Sequence, residues 1–504
     1  MRDLFRKNRA RPDHTATERA APQKHRVLSE RDLDALRDLA ISLEEAAPFE
    51  AYALFRLALK HRPTGPVLRK KVADFERRTM KNTVVAWRND GLCERINSIV
   101  LGRFAALALD LDFKFFWPDL SYLQDRFQIE YGKGHSVPRE ASEILAEQFM
   151  SAHQIQEADL LIPQGGLKDE NPAIRPFILN NFDQIEAEQD IPRPCWLAPW
   201  RSFPKLVHAH KPEEYKAFFR DALFNENIKD QFSAIETLNL PDKRVAIHVR
   251  GGDVIYDAAR HTHTFGRQKT VSLAIAEALC DHFTGQGYTV ILFGASKADL
   301  SFLARAYANV QTVDELGLGD VDLSSEVLRD VWLMAGCEQI VSAEDTGVTK
   351  LAVLVGRAGL LPYTRLFPPA AEYAASQKCV SSKRVLDYPV LQQAFIHYSL
   401  FMTAPATVDI PTLFEHIREA HSCDPENVQY MALCLLSALA LERRDTVEAF
   451  EDKLSRALCA PIATCFANPE ARRRYLPLGQ HPVQRLLSAI ALATGRPDYI
   501  DNLL

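Results

Sequence analysis

Residues 244–249 read RVAIHV, residues 288–294 YTVILFG, residues 339–343 QIVSA and residues 359–363 GLLPY. Between them lie VSLAIAEALCDHF at 271–283, KADLSFLARAYA at 297–308, SEVLRDVWLMAGC at 325–337 and VTKLAVLVG at 348–356, with a short VQTV at 310–313. The brief, near-continuous apolar runs are the mark of strands buried on both faces. The longer stretches space their apolar residues at helical period. Strands alternating with helices imply a parallel, doubly wound sheet, the α/β class.

Upstream the same grammar recurs. TVVAW at 83–87 is a β-branched run, NDGLCERINS at 89–98 holds a Gly turn, INSIVLGRFAALALDL at 96–111 is a helix, and FKFFW at 113–117 is a second apolar run. Strand, turn, helix, strand opens a βαβ unit. From 118 to 240 the text is less regular, with helical spacing near 139–155 and an apolar ADLLIP at 158–163. Residues 28–82 are predicted helical. AYALFRLALKHRPTGPVLRKKVADF at 51–75 is similar to one helix pair of the tetratricopeptide type, too little for a solenoid and expected to pack on the domain C-terminal to it. Helical text returns from 377 to 504 and resembles repeat structure without a defined period.

Bulk composition fits these elements. Hydrophobic residues make up 47% and charged residues 25%, so the chain can bury real cores. The net charge of −6 is mild and gives no reason to expect a nucleic-acid partner. The nine cysteines are scattered without a Cys-x-x-Cys pair, which speaks for a reducing compartment over a zinc site or redox motif. No apolar run approaches the ~20 residues of a membrane helix, and the N-terminus lacks the apolar core of a secretory signal. A cytoplasmic protein is expected. Residues 1–27 are polar and basic, read as a flexible tail that an anionic membrane surface could attract weakly.

Three stretches carry chemistry. IHVRGGD ends a predicted buried strand, and ligands of open α/β sheets bind outside the carboxyl ends of strands. Alternation points Ile247 and Val249 one way and His248 and Arg250 the other. Gly251 and Gly252 allow a tight turn and close approach of a ligand, the Arg250 guanidinium can grip a diphosphate bidentately, and Asp253 can hold that guanidinium or a loop in place. The second stretch, Ser325 to Gly356, sets Asp330 on a helix and Thr346 and Gly347 at a helix start, where free N–H groups suit an anion. The third is the Gly91 turn between strand and helix.

HVRGGD resembles the His-x-Arg-x-x-Asp motif of the α1,2-, α1,6- and protein O-fucosyltransferase superfamily. The other two stretches follow that family's order and spacing, so the resemblance covers residues 83–363. It implies a GT-B-like fold: two Rossmann-like lobes with a cleft between, an acceptor lobe at 83–240 and a donor lobe at 241–376. The helical segments 28–82 and 377–504 lie outside it. It further implies fucosyl transfer from GDP-fucose to a glycan hydroxyl, with inversion and without a metal. Arg250 would bind the β-phosphate and promote departure of GDP, with His248 beside the nucleotide. Asp330 would recognise guanine. Thr346 and Gly347 would meet the β-phosphate, and Gly91 would lie near the transferred sugar.

A catalytic base must take the acceptor's proton. Asp90, immediately before Gly91, ranks first and Asp257 second. Departures from the pattern, namely Gly251, Cys93 and Asp345, motivate an alternative in which the same fold uses another nucleotide sugar. A third reading is a non-catalytic scaffold that binds partners through its helical ends. His261 and His263 form no plausible metal site without a third ligand. The triplets Asp110-Leu-Asp112 and Asp320-Val-Asp322 sit at helix edges, unlike the strand-end acidic triplet that holds a metal–diphosphate.

The role of Arg250 is testable from sequence alone. Lysine offers a point charge where arginine offers a fork. Arg250→Lys should keep the fold and much of the nucleotide affinity yet lose most turnover, and Arg250→Ala should lose on the order of 10²–10³. If Arg250 only pairs with Asp253 to close the strand end, both variants will melt lower and keep wild-type turnover per folded molecule. Melting temperature and turnover measured on the same samples separate the two.

Overall fold

The computed structural model describes residues 29–45, 48–78, 83–88, 91–108, 111–117, 140–155, 196–198, 211–256, 269–343, 346–441 and 443. By its contacts the chain divides into two compact units, Met1–Lys81 and Asn82–Leu504.

The first unit contains three helices, α1 (Glu30–Leu43), α2 (Pro48–His61) and α3 (Pro66–Arg78). Ser29 caps α1 through a capping box with Asp32. Leu33, Ala40, Ala51, Phe55, Ala58 and Leu68 are almost fully buried in its core. Tyr52 stacks on Phe75 at 4.2 Å between centroids. Arg62 ties the turn before α3 back to Asp34 at 2.9 Å.

The second unit opens with β1 (Thr83–Trp87), α4 (Leu92–Ala108), β2 (Asp112–Phe116), α5 (Glu147–His153), β3 (Gln154–Ile155) and β4 (Trp196–Ala198). These strands form one parallel sheet in the order β3-β2-β1-β4. Then come α6 (Pro212–Ala217), a π-helical turn at Phe218–Leu223, and α7 (Glu226–Glu236). A second parallel sheet is built from β5 (Arg244–His248), β6 (Thr289–Phe293), β7 (Val310–Thr312), β8 (Gln339–Ser342) and β9 (Gly359–Pro362), in the order β7-β6-β5-β8-β9. Its crossover helices are α8 (Leu273–Gly285), α9 (Lys297–Ala304), α10 (Leu323–Ala335) and α11 (Gly347–Val355). Helices follow directly: α12 (Tyr363–Leu366), α13 (Pro369–Ser381), α14 (Val390–Thr403), α15 (Ile410–Cys423) and α16 (Val428–Ala440).

The strand alternation expected around β5 is present. Val245, Ile247 and Val249 join one apolar cluster with α8 and α9, while Ala246 joins another with α10 and α11. That second cluster also takes in Val84, Ile96 and Phe115, so the two sheets share a continuous core. An aromatic pile fixes α10 within it: Phe232 stacks on Trp332 at 4.8 Å and Phe219 lies at 5.9 Å. The acidic triplet at 320–322 has a structural use. Asp322 caps α10 by accepting from the Ser324 and Ser325 amides. Asp112 begins β2, and Asp110 lies outside the described residues.

The helices after β9 are fastened to the second sheet through Glu277 of α8. Its carboxylate accepts from Tyr388 Oη at 2.6 Å and Arg384 Nε at 3.2 Å. The Arg384 guanidinium also lies over the Phe302 ring, 4.7 Å from its centroid. Among the described residues no helix is long and apolar enough to cross a membrane. The basic stretch 1–27, the ADLLIP run and most of 435–458 beyond α16 lie outside the described residues.

Glu277→Ala should strand the Tyr388 hydroxyl, while Arg384 keeps its ion pair with Asp387 at 3.0 Å. A hydrogen bond to a charged group contributes about 1.5–3 kcal/mol, and a loss of that order is expected. Thermal unfolding of Glu277→Ala beside Glu277→Gln checks it, since the amide retains an acceptor for Tyr388 and should lose less.

Candidate functional site

The strand order of the second sheet runs outward from β5 in both directions, to β6 and β7 on one side and to β8 and β9 on the other. The crevice between β5 and β8 is therefore a topological switch point, the place where open α/β sheets bind ligands. The last paired residues here are Ile247 and Val341, which puts His248 beside Ser342 one step further along. Arg250 leaves β5 on one side of this crevice, and Thr346 opens α11 on the other. Almost a hundred positions separate these residues in the sequence; the sheet brings them to adjacent strand ends.

The turn after Arg250 is tightly packed. Val249 N–H still pairs with Phe293 O at 2.7 Å, extending the β5–β6 ladder past His248. At Gly294, with φ +156, any Cβ would come within 2.1 Å of Val249 O, so only glycine allows this approach. A Cβ on Gly252 would stand 2.8 Å from the Ala295 Cβ. One on Gly251 would lie 3.7 Å from Gln392 Nε2 and 3.9 Å from Tyr256 Cε2. A side chain is therefore excluded at Gly252, while Gly251 makes ordinary contacts with α14 and the turn. Asp253 is carried on the π-helical turn Gly252–Tyr256 that comes next.

On the β8 side Thr346 is buried and serves as the N-cap of α11. Its hydroxyl accepts from Thr349 N at 3.3 Å, and Thr349 Oγ1 accepts from Thr346 N at 2.9 Å. The Thr346 hydroxyl is thus committed to a capping box. Gly347 begins the helix against α4 of the first sheet. Asn97 Nδ2 donates to Gly347 O at 3.0 Å, and a Cβ on Gly347 would meet Glu94 Oε1 at 3.0 Å. Lys350 Nζ lies 3.9 Å from the same Glu94 oxygen. A carboxylate beside the start of a helix is favoured by the helix dipole. Glu94 and Lys350 are not legible as a pair in sequence, since nothing local links positions on two different sheets.

Asp330 stands apart from the other carboxylates. It lies on α10, and its Oδ1 is buried with no hydrogen-bond partner among the described residues. Burial pushes its pKa up to about 8; Glu326 and Asp314 add to the rise, while Arg329 and Lys297 oppose it. Its charge also reaches Cys93 in the first turn of α4, whose thiol is raised by burial, with help from Glu94 and Asp330. Asp330, Glu94, Cys93 and Gly347 therefore share one neighbourhood where α4 meets α10 and α11. Gly91 stands just ahead of α4, with the Glu94 amide bonded to its carbonyl at 3.1 Å. A strongly perturbed carboxyl is a functional-site signal. Asp90 and Asp257, the two candidate bases, lie outside the described residues, as do Asp345, His261 and His263. Among the described residues no group of three His, Cys, Asp or Glu side chains could hold a metal.

No family model matches the chain, and no curated protein does. Solved structures are similar to part of it. The fucosyltransferase NodZ from Bradyrhizobium matches with a TM-score of 0.34 and 14% identity, over 55% of this chain and 94% of that one. POFUT1 in complex with GDP matches with a TM-score of 0.32 and 10% identity, over 56% and 98%. A mutant of Arabidopsis thaliana FUT1 in complex with GDP gives 0.36 and 12%, over 61% and 78%.

The packing of the Arg250 turn makes its own prediction. Gly252→Ala forces two methyl-sized groups together, and overpacking of this kind costs about 1–3 kcal/mol. Ala295→Gly in the same chain removes the obstacle and should return most of the loss. Melting temperatures of the single and double variants read this directly; equal destabilisation in both would show that the contact is not the cause.

Proposed function

We propose that the chain is a glycosyltransferase of the fucosyltransferase type, taking fucose from GDP-fucose and passing it to a glycan hydroxyl with inversion. One observation carries the reading. At the switch point of the second sheet, a guanidinium-bearing strand end and a helix start sit on adjacent strands, and a buried carboxyl with an unsatisfied oxygen lies on the preceding helix. A diphosphate needs the first two, and a guanine base, which presents N–H donors, needs the third.

In this reading the first sheet forms the acceptor lobe and the second the donor lobe of a GT-B arrangement. Arg250 binds the β-phosphate and offsets the charge that grows there as the glycosidic bond breaks, an electrostatic contribution to transition-state stabilisation. His248 lies on the face of β5 that looks toward α10 and α11, beside the nucleotide. Gly347 offers the start of α11 to the phosphate, and Thr346 holds that start in place through its capping box. Gly91 borders the transferred sugar. The acceptor's proton goes to Asp90 or, failing that, Asp257. No divalent metal is assigned a role, because Arg250 and the helix start supply positive potential to the diphosphate.

The raised carboxyl of Asp330 gives the donor assignment a pH signature. With its pKa pushed up to about 8, Asp330 is protonated in the free protein at neutral pH. Guanine N–H donors favour the ionised form, so binding must release a proton wherever the free carboxyl still holds one. GDP affinity should therefore rise between pH 6 and pH 8, by at most ~10-fold per unit, and level off above. Calorimetry in buffers of different ionisation heat should count about one proton released at pH 7. Asp330→Asn should abolish both effects. Proton release that persists unchanged in Asp330→Asn would remove guanine recognition from this residue.

A further inference from the structure

Arg250 is followed by a turn whose far end is not anchored in its own sheet. Val254 and Ile255 are buried in the apolar cluster of the C-terminal helices, with Phe395, Tyr398 and Phe401 of α14 and Phe414 and Ile417 of α15. The turn is short, and Ile255 N–H bonds back to Gly251 O at 2.8 Å. Whatever holds Ile255 therefore also holds the glycines beside Arg250.

A polar cluster fixes the same turn from a second direction. Asp299 of α9 is almost fully buried, and its Oδ2 accepts from Tyr256 Oη at 2.7 Å and from Gln392 Nε2 of α14 at 2.9 Å. Burial and the Asp299 carboxylate together raise the Tyr256 phenol, keeping it a donor at any ordinary pH. Gln392 is fully buried, and its amide lies against Gly251. Three separate parts of the chain meet here: the turn after β5, the helix after β6, and a helix beyond the last strand. A buried carboxylate that loses one of two donors pays a full desolvation penalty, so each member constrains the others.

We propose that the C-terminal helical region is part of the donor site, and that Gln392 and Tyr256, acting through Asp299, are positioning residues for Arg250. This rests on the reading of Arg250 as the diphosphate-binding group. In the sequence the segment 377–504 lies outside the family resemblance; the contacts of α14 tie it to the Arg250 turn. Small displacements of a charge-bearing side chain matter more for the transition state than for ground-state binding. Loosening the cluster should therefore lower kcat far more than it weakens GDP.

The test uses the full chain and three variants: Gln392→Met, Tyr256→Phe, and the reciprocal pair Asp299→Asn with Gln392→Glu, which restores a donor facing an acceptor. Amide hydrogen exchange over residues 250–256, the Kd for GDP, and kcat and KM for GDP-fucose are measured on each. Expected for Gln392→Met is exchange over 250–256 at least ~10-fold faster with α4 unchanged, a kcat loss of ~10–100-fold, and a Kd for GDP within ~3-fold of wild type. Tyr256→Phe should behave likewise with a smaller effect, and the reciprocal pair should recover protection and most of kcat. Tyr256→Phe removes a single hydroxyl and decides the matter alone if Gln392→Met does not fold. Unchanged exchange over 250–256 in a folded single variant overturns the proposal, as does equal loss of kcat in the reciprocal pair. A wild-type chain that neither binds GDP nor transfers fucose would defeat the functional reading instead, and exchange over 250–256 would then decide the positioning claim by itself.

Discussion

The pairing of β5 with β8 is the constraint on which the site depends. Parallel strands cannot be joined by a tight turn, so each connection in this sheet passes through a helix on one face or the other. The chain lays β5, β6 and β7 down in one direction, then returns to add β8 and β9 on the opposite flank of β5. At that reversal the loops leaving β5 and β8 diverge, and a crevice opens at the carboxyl ends of the two strands. Arg250 and Gly347 reach this crevice only because Val245, Ala246 and Ile247 pair with Gln339, Ile340 and Val341. A slip of one residue would turn His248 onto the opposite face of the sheet.

Around this pair the rest of the second unit behaves as a mould. The first sheet contributes α4, whose opening turn meets α10 and α11 through Cys93, Glu94 and Asn97. The aromatic pile on Trp332 fixes α10 and with it Asp330. The helices after β9 hold the other rim, through Glu277 beneath them and through Asp299 and Gln392 above. Most of the carboxylates here have partners. Glu94 faces Lys350, Asp322 caps α10, and Asp299 takes two donors. Asp330 carries the largest perturbation: its buried Oδ1 meets no donor among the described residues, and burial pushes its pKa up to about 8.

The second sheet was legible in the sequence almost to the residue. RVAIHV, YTVILFG, VQTV, QIVSA and GLLPY all became strands, because strands covered on both faces must be apolar throughout. TVVAW was legible for the same reason, whereas FKFFW, alternately buried and partly exposed, showed as an aromatic run. β3 and β4 were not: two- and three-residue strands leave no period to read. Of the site, the strand-end arginine and the helix start at Thr346 were readable as local chemistry. Long-range partners were not. Asn97 and Gly347, or Asp299 and Gln392, are joined only by the fold, and no spacing in the text hints at either pair. Nor could the sequence show what packs beside Gly252, where an added Cβ would stand 2.8 Å from the Ala295 Cβ.

In the proposed reading this crevice holds a guanosine diphosphate moiety, and a calorimetric titration of the full chain with GDP, UDP, ADP and CMP is its direct test. Arg250 and the start of α11 would, in that reading, grip phosphate without regard to base, and Asp330 would meet a base edge that carries two N–H donors. GDP is expected to bind most tightly, and UDP and ADP with weaker, phosphate-driven affinity. Tightest binding by UDP or ADP would contradict the donor assignment, and no binding by any of the four would contradict the site itself.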